Sequence, residues 1–152
     1  PAAPRASAPK ALPLGVELAR LATLDDHLAY ASKKRGEGNG ARAVLAYQQA
    51  LGKFRQDPYA PFIVMELGNL YKENGDYAEA VSAYHSALRL AAVKARPMMA
   101  AEFRKNIAYL DTVLLVLSRR RMPNTPFSQI PPDCHREIER DFAARQPKNI
   151  NA

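Results

Sequence analysis

Apolar residues recur three or four apart along most of this chain, and Gly or Pro interrupts them at intervals. That pattern predicts helices separated by tight turns. Leu14, Leu18, Leu21, Leu24 and Leu28 form the first stripe and predict a helix from Leu14 to about Arg35, followed by Gly36, Gly38 and Gly40. Val44, Tyr47, Leu51 and Phe54 mark a second helix over about 40–56, capped by Asn39 and stopped by Asp57-Pro58. A third, over about 60–73, turns Val64, Leu67, Gly68 and Tyr71 inward, and Gly75 closes it. Asp76 is placed to cap a fourth, with Glu79 three residues on; it turns Tyr77, Ala80, Val81, Tyr84, Ala87 and Leu88 inward to about Ala92. After Arg96-Pro97, residues 98–121 predict one long helix with the stripe Phe103, Ile107, Leu110, Leu114 and Leu117. A turn over Met122–Pro126 leads to a last short helix, about 133–145, and a loose tail at 146–152.

Two of these helices carry the same residues. Gly38, Asn39, Ala43, Ala46, Tyr47, Ala50 and Leu51 return 37 positions later as Gly75, Asp76, Ala80, Ala83, Tyr84, Ala87 and Leu88. Small residues where helices touch, with one aromatic per helix in register, predict stacked helical hairpins. Such a unit cannot bury its apolar face alone and needs neighbours. The fold class expected is therefore all-α, a short α-solenoid of antiparallel helical hairpins with a long C-terminal capping helix. The alternative is an irregular helical bundle, also all-α. The expected organisation is a Pro/Ala-rich flexible lead at 1–13, a repeat domain at 14–122 and a C-terminal arm at 123–152.

Residues 61–94 resemble a tetratricopeptide repeat. The first-helix pattern is Val64-x2-Leu67-Gly68-x2-Tyr71, and the second is Gly75-x-Tyr77-x2-Ala80-x3-Tyr84-x2-Ala87-Leu88. Val64 stands where the family usually has Trp, and Ala92 where Pro often closes the unit. Gly68 and Ala80 let the two helices approach, while Tyr71 and Tyr84 fill the space around them. The unit at about 24–57 is similar in its second helix only, and Asn106-Ile107-Ala108 resembles part of a third first helix. The Leu-Gly-x2-Tyr spacing is of the tetratricopeptide type rather than of the pentatricopeptide type with its RNA code.

The resemblance implies a non-enzymatic scaffold whose first helices line a concave groove for a partner peptide or protein. It turns Phe62, Met65, Asn69, Lys72 and Glu73 into that groove, then Glu102, Lys105, Tyr109, Thr112 and Val113. From the first unit it adds Asp25, Leu28, Ser32 and Arg35. Asn69 can donate to and accept from a peptide backbone, and Lys72 and Lys105 can pair with a carboxylate. Met65 and Phe62 offer adaptable apolar contact. Glu66 stands where the chaperone-tail-binding subtype tends to place an amide, so that ligand is not expected.

Composition changes this picture little. A 47% hydrophobic and 24% charged chain of 152 residues is ordinary for a soluble domain, and no apolar run reaches the roughly 20 residues of a membrane span. The net charge of +7 is uneven: residues 95–122 carry six basic and two acidic side chains. Arg104, Arg119, Arg120 and Arg121 form an alternative basic patch, which on a second reading binds RNA or a ribonucleoprotein. The Arg119–Arg121 run also suits the last carbonyls of the long helix. His27, His85 and His135 are scattered, and Cys134 has no second cysteine, so neither cofactor nor metal is expected. Tyr59, Phe127 and Ile130 lie in connecting stretches and must pack on this domain or on something else. The residues leave the compartment open between exported, organellar and cytosolic; the Pro/Ala lead on a chain beginning at Pro1 leans towards an exported (periplasmic) or organelle-targeted protein after removal of an N-terminal segment.

Overall fold

The longer helices pack in chain order, so the fold is read as a succession of neighbours. The computed structural model describes residues 12–147, which are all-helical with no strand among them. The lead at 1–11 and the tail at 148–152 lie outside the described residues. The helices are α1 (Leu14–Ala19), α2 (Leu24–Gly36), α3 (Gly40–Lys53), α4 (Ala60–Asn74), α5 (Tyr77–Ala87), α6 (Ala91–Lys94), α7 (Pro97–Arg119) and α8 (Pro132–Arg145). Packing runs α2 on α3, α3 on α4, α4 on α5, α5 on α7 and α7 on α8. No helix among the described residues is long and apolar enough to cross a membrane.

The single helix expected from Leu14 to Arg35 is two helices. Thr23 breaks it, because Thr23-x-x-Asp26 forms a capping box. The Thr23 hydroxyl accepts from the Asp26 N–H at 3.1 Å, and the Asp26 carboxylate accepts from the Thr23 N–H at 3.0 Å. The Asp26 carboxyl is held below its ordinary pKa chiefly by that backbone N–H. Released from the stripe, α1 lies back on α3, where Arg42 pairs with Glu17 at 2.7 Å and Gln49 donates to the Leu18 carbonyl at 2.9 Å. Two further expectations fail locally. Asp76 precedes α5 but its side chain makes no cap hydrogen bond, and α5 ends at Ala87, with α6 a separate turn, rather than running to Ala92.

Asn39 caps α3 as its position predicts, accepting from the Arg42 N–H at 3.2 Å. Gly75 ends α4 at φ +79, with its N–H bonded to the Lys72 carbonyl and the Asp76 N–H to that of Tyr71, a Schellman closure. A Cβ there would collide with the backbone of Asn124, so this glycine also makes room for the C-terminal arm.

The core is two clusters joined through the partly buried Leu51 and Tyr71. One holds Ala31, Ala43, Ala46, Tyr47, Ala50, Ile63, Leu67 and Leu70 between α2, α3 and α4. The other runs from Val64 through Tyr77, Ala80 and Tyr84 to the inner stripe of α7, then to Ile130, Cys134 and Ile138 of the arm. Of the alanines of the repeated pattern, Ala43, Ala46, Ala50, Ala80 and Ala87 are fully buried and Ala83 is partly buried, which is why those helices meet closely. The long helix is not the outer layer, since α8 covers it. Burying an aliphatic side chain such as Ile138 contributes about 1.5–3 kcal/mol, so the arm is anchored by its own apolar residues. Ile130 is buried there, Phe127 is half-buried and Tyr59 remains exposed.

Candidate functional site

The first turns of α4 and α7 each follow a proline break, Asp57-Pro58 for α4 and Arg96-Pro97 for α7, and both border one pocket. Between them lies an open, almost wholly apolar pocket of about 340 Å³, lined by Pro61, Phe62 and Met65 of α4 and Met98, Met99, Glu102 and Phe103 of α7. Phe103 is its buried floor, whereas Phe62 is 46% and Met98 88% exposed. Phe62 stacks on Tyr59 with ring centroids 5.1 Å apart, extending the apolar surface beyond the rim. Three of the chain's four methionines, Met65, Met98 and Met99, line this one pocket.

The opposite end of the same faces is covered by the chain itself. The Lys72 ammonium lies over the Phe127 ring, 5.9 Å from its centroid, and burial pushes its pKa down. The Tyr77 hydroxyl donates to the Thr125 carbonyl at 2.6 Å, and burial raises its pKa to about 12. Tyr109 packs edge-on against Phe142 at 5.2 Å and donates to the Glu139 carboxylate at 3.2 Å. Burial, then Glu139, raises its pKa to about 12. Thr112 is buried and donates to the Ala108 carbonyl at 2.9 Å, and Val113 is core.

The structure thus brings Phe62, Met65 and Glu102 together in the pocket, whereas Lys72 and Tyr109 meet the arm and Thr112 and Val113 are buried. Asn69 stands half-exposed between the two ends, its amide unbonded among the described residues. Arg35 pairs with Glu66 at 2.7 Å and with Glu73, so these charges satisfy one another. Ser32 is exposed on α2, and Lys105 and Arg104 are exposed on α7. Of the basic run, Arg119 pairs with Glu137 at 3.0 Å and Asp141 at 2.6 Å, and Arg120 with Glu137 at 2.8 Å and Asp133 at 3.3 Å. Arg121 is exposed in the left-handed region at φ 59.

Sequence reasoning missed Met98 and Met99, because the resemblance turns Glu102 and the residues after it into the groove and none from the first turn of α7. The Met-Met pair directly after Pro97 is the signal that would have found them. It also missed the partners of the Arg run, although Asp133, Glu137 and Asp141 recur every four residues and so share one helix face.

His27 is a fully buried polar side chain, with Nδ1 2.6 Å from the Thr23 carbonyl and Nε2 2.9 Å from the Gln49 amide. A carbonyl only accepts, so Nδ1 carries the proton and Nε2 accepts from Gln49. That ties α2 to α3. Cys134 is buried among Ile130 and Ile138. Among the described residues no group of three or more His, Cys, Asp or Glu side chains is arranged to hold a metal. Comparison with known protein families, with curated proteins and with solved structures finds no match for this chain.

Proposed function

We propose that this protein is a non-enzymatic docking scaffold, a tetratricopeptide-type stack of helical hairpins that holds a partner peptide or protein on the inner face of its first helices. One observation carries the reading. Phe62, Met65 and Glu102, which the tetratricopeptide resemblance turns into one groove, line a single open pocket although they come from helices 23 residues apart in sequence, Asn74 to Pro97. Gly68 beneath Tyr84 supports the hairpin packing expected of such a repeat. Isolated exposed apolar side chains need no explanation, but a contiguous apolar surface marks an interaction site. The second reading, an RNA-binding basic patch, is less well supported, because two of its four cations are already paired within the chain.

The test is affinity capture from the native source with wild type, Phe62→Ser/Met98→Ser and Arg104→Ser/Arg121→Ser. Both apolar residues are exposed enough for the fold to survive. The expected result is a partner kept by wild type and by the arginine variant and lost by the apolar one. A partner lost only with the arginines, and stripped steeply by salt, overturns the reading.

A further inference from the structure

Among the described residues some cations are ion-paired and others are not, and one group of unpaired cations lies close together in sequence. Arg35, Arg42, Arg119 and Arg120 each meet a carboxylate. Arg89, Lys94, Arg96, Arg104 and Lys105 are all exposed, and none of them is ion-paired among the described residues. This unpaired set brackets the methionine pocket in sequence. Lys94 ends α6, Arg96 immediately precedes Pro97 and Met98, and Arg104 and Lys105 stand on the next turns of α7. Lys105 follows Met98 by seven residues and Glu102 by three, the spacings that share one helix face. Five cations against the single carboxylate of Glu102 over residues 89–105 make this the strongest uncompensated charge beside an apolar pocket.

The pocket itself is built for a side chain of variable shape. Methionine is unbranched and polarizable and re-packs around different apolar groups, which is why such surfaces accept more than one ligand. A volume of about 340 Å³ takes one or two side chains, not a flat surface. The Glu102 carboxylate in its lining disfavours a close-packed anionic lipid layer, whereas a peptide can place its own acids towards Lys105 and Arg96 and away from Glu102.

Resting on the scaffold reading above, the geometry points to the class of partner: an acidic segment bearing one exposed apolar anchor, whose anchor enters between Phe62, Met65, Met98 and Met99 while its flanking carboxylates meet Arg96 and Lys105. The apolar anchor supplies the affinity. The cations speed encounter and reject basic segments.

The methionines provide the readout. Protein labelled with methyl-13C methionine carries four such methyls, Met65, Met98 and Met99 at the pocket and Met122 at the arm as an internal control. It is titrated with three short synthetic peptides: one rich in Asp and Glu around a single Phe, the same peptide with Lys in place of the acids, and the acidic peptide with Ser in place of Phe. The expected result is movement of the three pocket methyls, with Met122 still, by the acidic Phe peptide alone. Arg96→Glu/Lys105→Glu is expected to weaken that binding by about tenfold at low salt. Equal shifts with the Lys peptide overturn the acidic preference, and shifts unchanged without Phe overturn the anchor. No pocket shift with any peptide overturns the inference as a whole. Sedimentation with phosphatidylglycerol vesicles in place of peptide binding assigns the surface to a membrane and likewise overturns it. The scaffold reading fails separately, when the captured partner survives Phe62→Ser/Met98→Ser.

Discussion

Gly68 offers a sharp test of the hairpin packing. It lies in α4 directly under Tyr84 of α5, and a Cβ built on it would come closer than 3.0 Å to Oη, Cζ and Cε1 of that ring. Gly68→Ala therefore needs the ring to move. Tyr84 is only 1% exposed and its ring lies 5.7 Å from that of Phe103, so it cannot swing to solvent. Overpacking of this kind costs about 1–3 kcal/mol, occasionally more. The same substitution gains up to about 1 kcal/mol of helix propensity. The net expectation is a loss of up to about 2 kcal/mol, read as a lower urea midpoint at unchanged slope. In a Tyr84→Leu background the ring is gone, and Gly68→Ala should then be neutral or stabilising. The two sites should thus couple by at least about 1 kcal/mol in a double-mutant cycle. A stabilising Gly68→Ala in the wild-type background, or additive losses, refutes the close approach.

Gln49→Leu leaves the Leu18 carbonyl and His27 Nε2 without their donor and should cost about 1–3 kcal/mol in denaturant unfolding; an unchanged midpoint contradicts the tautomer and network assigned here. Arg121→Gly removes a left-handed non-glycine residue at φ 59 from the end of α7 and should stabilise by about 1 kcal/mol, and a lower midpoint would count against that strain. Acid should weaken the fold through three carboxyls held below their ordinary pKa: Asp26 by the Thr23 N–H, Glu17 by the Tyr30 hydroxyl and Asp141 by Arg119. Because each folded value lies below the unfolded one, near about 4, their stabilisation is complete above that pH and is lost as pH falls through the folded values. Asp26→Asn should flatten the fall in stability below about pH 4, and an unaltered slope would show that the capping box contributes nothing there.

Much of the fold was legible because the periodic signal was strong and local. Asn39, Gly75, Pro58 and Pro97 mark helix boundaries through their own backbone chemistry, and the alanines of the repeat mark the contacts. The break at Thr23 was masked by a leucine stripe that continues in phase across it, although Thr23-x-x-Asp26 carries the cap. The arm's placement was not legible. Its contacts to Gly75, Tyr77, Lys72 and Tyr109 pair residues 30 to 55 positions apart, which no helical period reports. The same holds for the site. The family resemblance put Phe62, Met65 and Glu102 in one groove, but only the packed helices bring Met98 and Met99 to them.

Photo-crosslinking in the native source tests the docking surface most directly, with a benzophenone side chain in place of Met98 and, separately, of Arg136 on the exposed side of α8. The account predicts one discrete partner adduct from position 98, abolished by Phe62→Ser, and none from position 136. Adducts of equal yield from both positions, or from position 136 alone, would contradict it.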